Sequence, residues 1–561
     1  MKQTYLAIME KALSAYTEAQ IQEYIEAVKR DGLTEHGFPR LGANIGILMA
    51  HGKRLELKET FIRIIDLCLD GFAHPVNTAK GGNNFAIREV CFCIMELQKS
   101  HVINAEQLKK WKDKIAGFDI PAVYTHIVSD QNPTPANWAY FAALSEQARG
   151  ILCGFDATEF VENQLPSQLL RLDENGMYRD HALTGPHQPV AYDIVTRTLI
   201  GLSLWLGYNG KYVSQIEKMM ELSDALTLKM QSVTGELAFG GRSNQCTHNE
   251  MMLASYCELR ASLLYQKGDA EKAGQFKAAA EKAQKAALWW LEQKPMSHIK
   301  NRFDPDLRLG CEDYAYFNKY MITVASNAYL AYLAADDEIE PSVAVADLGG
   351  FVAQTGDDFH KVFVNAGGYS LEFDTNADLQ YDASGLGRVH KKNCDPRICL
   401  SVPFPAMQAK YKLETPNSMP MSISGFRMTA DGRKVASRDA AYVLKAKTEC
   451  GNKATATFDC LADDRLLFTE EYTVWDGGVD ITLKGADGIF LPAFMFDGKE
   501  STEILTEEGS ITVRYNGSFC RYTFSGDYTE EGVFFNRNGS YRVYRVDTKK
   551  VHIEMGEMNE L

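Results

Sequence analysis

The chain has 561 residues, 45% hydrophobic and 24% charged, a length too great for one ordinary core and a composition typical of globular proteins, so two domains is the working count. A formal net charge of -15 excludes a broad basic face for nucleic acid or an anionic membrane, while a local basic pocket inside the acidic shell stays open. No run approaches the roughly 18 apolar residues of a membrane span, and the start Met1-Lys2-Gln3-Thr4-Tyr5 lacks the apolar core of a signal peptide, so a cytoplasmic location is expected.

From Tyr5 to about Ala334 apolar residues recur at three- and four-residue spacing, which predicts about a dozen helices. Among them are Glu59 to Gly71, Ala105 to Ile115, Pro135 to Gly150, Val190 to Leu206, Tyr212 to Met230, Asn249 to Tyr265 and Glu312 to Ala334. Twelve cysteines are scattered with no CxxC pair. Cys68 and Cys257 sit in apolar helical patterns as small hydrophobes, and the close pair Cys91 and Cys93 has no second pair to complete a zinc site. Free thiols of this kind fit a reducing compartment.

The acidic run Asp336-Asp337-Glu338-Ile339-Glu340-Pro341 ends the helical region. The hydrophobic period then falls to two, as in Glu471-Tyr472-Thr473-Val474-Trp475 and Ile511-Thr512-Val513-Arg514-Tyr515, with turns such as Asp476-Gly477-Gly478 and Asn516-Gly517 between runs. The expected fold is therefore an α-helical domain over residues 1–340 followed by an antiparallel β-sandwich over residues 341–561. A dozen helices can form an open bundle, a solenoid or a closed (α/α) toroid. No repeat of solenoid length is visible, and a toroid gathers its loops around one central cleft.

Polar clusters in the loops are the candidates for chemistry. The densest is Asn175-Gly176-Met177-Tyr178-Arg179-Asp180-His181, continued by His187, Tyr192, Asp193 and Arg197. The alternative reading is a solvated loop packed over Tyr192. A second cluster, Gly240-Gly241-Arg242-Ser243-Asn244-Gln245 with His248, Asn249 and Glu250, offers a tight turn, a guanidinium for bidentate carboxylate binding and an amide, or else a turn with Arg242 in a structural ion pair. Asn137-Trp138 places an amide beside a flat ring on which a sugar can stack, although Asn is also a common helix cap and Trp a common core residue. Glu312-Asp313-Tyr314-Ala315-Tyr316 with Asn318 opens the last helix, and Asn83-Asn84-Phe85 with Arg88 and His36-Gly37-Phe38-Pro39-Arg40 share the loop-to-helix form. In the second domain Arg388 and His390 are read as interface or cleft-rim residues.

Together these motifs resemble the polysaccharide lyase and heparinase II/III-like superfamily, whose members join an (α/α) toroid to an antiparallel β-sandwich. Asn137-Trp138 looks like the Asn-Trp of hyaluronate and chondroitin lyases, Gly176 to His181 like their Gly-rich segment ending in histidine, with Tyr192 following, and Gly241-Arg242 like their arginine element. The resemblance implies cleavage of an acidic, uronate-containing oligosaccharide by β-elimination, with no metal or cofactor and no nucleic-acid or membrane partner; self-association stays open.

In that chemistry Asn137, Arg242 and Asn244 bind the uronate carboxylate, His181 or His187 takes the α-proton, and Tyr192 protonates the leaving oxygen or serves both roles. A cation from Arg197 or Arg179 would bring the Tyr192 pKa down. Trp138, His248, Tyr314, Tyr316 and Asn84 complete the expected binding set. The alternative is a glycoside hydrolase of the same architecture, a glucuronidase or unsaturated glucuronyl hydrolase, with an acid pair drawn from Asp180, Asp193, Glu250 and Asp313. A non-catalytic glycan-binding protein would need only the aromatic and amide groups.

Overall fold

The computed structural model describes residues 1–76, 82–180, 182–183 and 185–560. Six helices, Gly37–Ala50, Asn83–Ser100, Trp138–Cys153, Val190–Trp205, His248–Gln266 and Phe317–Ala334, each pack on the next, and the last returns to the first. This closes a ring. A second set, including Lys58–Ala73, Thr158–Leu169, Val213–Met230 and Ala270–Glu292, packs outside it. The toroid expected from the loop distribution is the one formed. The sequence places the start of the last helix at Glu312, whereas it begins at Phe317 and leaves Glu312 to Tyr316 in the preceding loop.

The inner helices are buried almost all round because they are covered on both sides. Every residue from Gly37 to Met49 is buried, whereas the outer helix Lys58–Ala73 buries only one stripe. Cys91 and Cys93 belong to this packing: both are free and fully buried.

Beyond the short helix Val345–Leu348 the chain forms three antiparallel sheets. An eight-stranded sheet is one layer; Tyr442, Phe458 and Tyr472 lie on its inner face. Opposite it lie a four-stranded sheet, Phe351–Gln354 to Gly385–Lys391, and a five-stranded sheet containing Gly488–Phe496, joined by a bridge between Leu386 and Ile423. All three contribute to one core, as a sandwich requires.

The four-stranded sheet docks on the ring through the segment before Arg242. Arg388 Nη1 donates to the Leu237 carbonyl at 2.8 Å, and Glu372 accepts the Phe239 N–H at 3.2 Å. His390 Nδ1 lies 2.7 Å from Ser232 Oγ, and Lys361 Nζ stands 3.6 Å from the centre of the Phe239 ring. Arg388 and His390 are thus interface residues.

Gly46 marks how closely the ring is packed. A methyl there would run into Cys93 Sγ and the Phe61 ring, on the neighbouring inner helix and the outer helix. Gly46→Ala should therefore destabilise the protein by about 1–3 kcal/mol through overpacking, outweighing the ~1 kcal/mol helix-propensity gain of alanine. Urea unfolding followed by circular dichroism reads the sign; a stabilised variant contradicts this packing.

Candidate active site

All six inner helices contribute residues to a cavity of about 680 Å³. Its walls include first-turn residues such as Arg40, Tyr192 and His248, and extend to Leu199 and Leu330. Counted from the helix starts at Val190 and Phe317, with about 1.5 Å of rise per residue, the cavity reaches on the order of 15–20 Å down the ring axis.

Tyr192 is the third residue of its helix, and Val195 and Leu199 follow at i+3 and i+7 on the same cavity-facing side. Its hydroxyl is 3.2 Å from Ser243 Oγ, which is 3.3 Å from the Tyr314 hydroxyl. The Arg242 guanidinium lies over the Tyr192 ring, 4.6 Å from its centre. Burial pushes the Tyr192 pKa up and the Arg242 charge offsets only part of that, so the phenol stays protonated. The cation that acts on Tyr192 is Arg242. Arg179 instead donates to the carbonyls of Leu170, Arg171 and Leu172.

Arg242 is held by Asp180, whose buried carboxylate accepts from it. Burial raises the Asp180 pKa, and the Arg242 and Arg171 charges oppose that rise. The turn carrying Arg242 is anchored on both sides. Gly241 N–H donates to Asp382 at 2.8 Å, and Ser243 N–H donates to Glu312 at 2.7 Å. Glu312 in turn takes two hydrogen bonds from Arg537 of the sandwich, at 2.7 and 3.1 Å. Ser243 has φ 55°, a left-handed conformation unusual for a residue with a side chain, and this anchoring keeps it there.

The structure brings Asn137, Trp138, Asp180, Tyr192, Arg242, His248 and Tyr314 to one cavity. Trp138 is held edge-on to Phe85, with ring centres 4.9 Å apart. His181 lies outside the described residues. Other expected site residues point elsewhere. His187 packs against His360 of the sandwich, with ring centres 5.2 Å apart, and does not line the cavity. Arg197 is fully buried behind the wall, in a bidentate pair with Asp193 at 2.8 and 2.6 Å and over the Tyr256 ring, so it is a core ion pair and not a ligand contact. Asn84 is spent on backbone, donating to the Thr125 and Trp138 carbonyls, and positions Trp138 without reaching the cavity. Asn244 is buried beside Gln245 away from the cavity lining. Asp313 is exposed outside it, and Tyr316 is exposed beneath the Arg308 guanidinium.

Lining residues absent from the expected set include Glu35, His36, Arg40, Arg88, Ser243, Lys319 and Tyr320. Among the described residues four lining cations, Arg40, Arg88, Arg242 and Lys319, face two lining carboxylates, Glu35 and Asp180. A cationic cavity thus sits in a chain of formal charge -15. His36, Arg40, Arg88 and Ser243 belong to polar clusters visible in the sequence, and Arg40, Arg88 and Lys319 each fall in the first two turns of an inner helix.

His248, the first residue of its helix, packs against Tyr320 with ring centres 5.2 Å apart, and its Nδ1 has no hydrogen-bond partner. Burial, with Arg40, His298 and Lys300 adding to it, pushes its pKa down to about 3. Since an unfolded histidine binds a proton near pH 6.5, the stability gained by keeping this ring neutral is complete above that pH and declines on acidification, by up to ~1.4 kcal/mol per pH unit. His248→Gln should therefore flatten the fall of unfolding free energy between about pH 6 and 4 by that slope, read by urea unfolding at a series of pH values. Parallel curves for the two proteins would contradict a neutral, buried His248.

No family model and no curated protein matches the sequence. Among solved structures the chain is similar to a heparinase III, with TM-score 0.47 and 7% identity over 92% of this chain and 76% of that one. It is similar to a chondroitin AC lyase of Streptomyces coelicolor A3, with TM-score 0.46 and 10% identity over 99% and 82% of the two chains. An unsaturated glucuronyl hydrolase from Bacillus sp. GL1 matches with TM-score 0.41 and 12% identity over 60% of this chain and 98% of its own. At these identities the likeness lies in the course of the chain and not in its side chains.

Proposed function

We propose that the protein is a carbohydrate-active enzyme that cleaves uronate-containing oligosaccharides by β-elimination. One observation carries this reading: the protonated hydroxyl of Tyr192 stands in a cationic cavity where, among the described residues, the two lining carboxylates are both engaged by the protein itself. Of Asp180, Asp193, Glu250 and Asp313, only Asp180 lines the cavity, and it is paired with Arg242. Asp193 is bound by Arg197 and Glu250 by Lys300 at 2.7 Å. The other lining carboxylate, Glu35, accepts the N–H groups of Gly37 and Phe38 at the start of its helix.

β-Elimination needs a base for the proton α to the carboxylate, donors for the charge that develops on that carboxylate, and an acid for the leaving oxygen. Arg242 and Asn137 supply the donors. Of the two lining histidines among the described residues, His36 has Nδ1 against Arg40 and His248 has Nδ1 without a partner, so His248 is the ring chosen to accept the proton. Its low pKa reflects burial beside cations, and an anionic sugar in the cavity offsets those charges and raises its basicity. The carbon–oxygen bond then breaks as the double bond forms, and the leaving oxygen takes the Tyr192 proton. Transfer of the proton from His248 to Tyr192 through solvent resets the site.

Ultraviolet absorbance of the unsaturated uronate distinguishes elimination from hydrolysis when the protein is incubated with glucuronate-containing oligosaccharides. The wild type should generate this product, and Tyr192→Phe should lower kcat about 10²–10⁴-fold with little change in KM. Release of saturated glucuronic acid by a fully active Tyr192→Phe protein would support the hydrolase reading instead.

A further inference from the structure

The cavity has a second cationic wall, formed by the inner helices Gly37–Ala50 and Asn83–Ser100, and it contains charge that the protein itself does not satisfy. Glu89 Oε1 accepts from Arg40 Nε at 2.8 Å and from Arg88 Nη2 at 3.3 Å, so a single carboxylate serves two guanidinium groups. Arg40 also donates through Nη1 to Thr323 Oγ1 at 3.0 Å, with His36 Nδ1 3.4 Å from the same nitrogen. Arg88 has fewer partners. It lines the cavity, is 3% exposed, and its enclosed Nε and Nη1 have no hydrogen-bond partner among the described residues. The Phe141 ring lies 5.5 Å from the guanidinium carbon and offers it only a π-face.

Leaving two donors of a buried cation unmade is costly, because the group has lost water without gaining a partner. The surroundings register the surplus positive charge. Burial first, and then Arg40, oppose the charged form of Arg88, whose pKa is pushed down to about 10. Arg40 also acts against protonation of His36 and His248. An oxyanion placed beside this wall would neutralise the excess.

In ring order the helices bearing Arg40 and Tyr192 are three apart and so face each other across the cavity. A ligand that places one acid group beside Arg242 and Tyr192 therefore presents its far end to Arg40 and Arg88. We propose that Arg88, with Arg40 and Glu89 behind it, is a second oxyanion subsite, which binds a carboxylate or sulfate ester on the sugar unit next to the one that is cleaved. This rests on the elimination reading for the identity of the ligand, though not for the presence of the anion site. The preferred substrate would then be an oligosaccharide with acid groups on consecutive units.

Inorganic sulfate and free glucuronate serve as probes, titrated into the full chain while the melting temperature is followed. Both should stabilise the wild type, and R88A should weaken the response to the preferred anion by about tenfold or more, as expected for lost charge-assisted hydrogen bonds. Glu89 keeps Arg40 in R88A, so the variant should fold; if it does not, R88K, which keeps the charge without the planar fork, is read in the same way. In turnover, R88A should raise KM about tenfold more for a disaccharide carrying the second acid group than for the analogue without it. The stronger of the two probes tells whether sulfate or carboxylate is the group bound. Equal anion responses in wild type and variants would overturn the subsite, even if unsaturated product forms. An anion response that depends on Arg88, with no unsaturated product from any substrate, would leave the subsite standing and remove the elimination reading.

Discussion

The geometry of the site depends on one buried ion pair between the two halves of the molecule, Glu312 with Arg537. Glu312 lies in the loop before the last inner helix, and Arg537 comes from the sandwich. The same carboxylate accepts the Ser243 N–H, so the pair fixes the left-handed turn that carries Arg242 over Tyr192. Both partners are almost wholly removed from water, and breaking such a pair by removing one partner costs on the order of 3–5 kcal/mol because the other charge is left buried. The sandwich therefore holds the active-site turn in place, and does so from outside the cavity.

The ring and the sandwich have complementary parts. Six inner helices, buried on nearly every side, enclose a shaft that is apolar at Val195, Leu199 and Leu330 and polar near the helix starts. Their first two turns carry Arg40, Arg88 and Lys319, and the N-terminal ends of helices add partial positive charge in the same region. An acidic protein surface thus surrounds a cationic interior. That arrangement repels bulk polyanions only weakly at physiological salt, where screening acts within about 8 Å, and leaves binding to the short-range contacts of the cavity.

Much of the fold was legible in the sequence. The hydrophobic period changes from helical to two-residue spacing after the acidic run that ends in Pro341, and that change alone separates helices from strands. The loop clusters around Asn137, Asp180, Arg242 and Tyr314 were visible as concentrations of polar residues at element ends, and these four do line one cavity. The last helix was started too early, at Glu312, because the acidic residues there imitate a helix first turn, while in the structure Glu312 is held by Arg537 in a loop.

What the sequence by itself determined was residue chemistry and local period: which stretches coil, which pleat, and where donors and acids gather. Direction was decided only by the tertiary structure. Arg197 and Asp193, four apart on one helix, find each other and are sealed behind the wall, while Tyr192, one position away, faces the cavity. His187 looked equivalent to any site histidine but is claimed by the sandwich, and Arg88, noted only as part of a loop-to-helix cluster with Asn83-Asn84-Phe85, has donors without partners among the described residues. The physical reason is that a side chain's role is set by the partners that reach it, and in a closed ring those partners come from helices many tens of residues away.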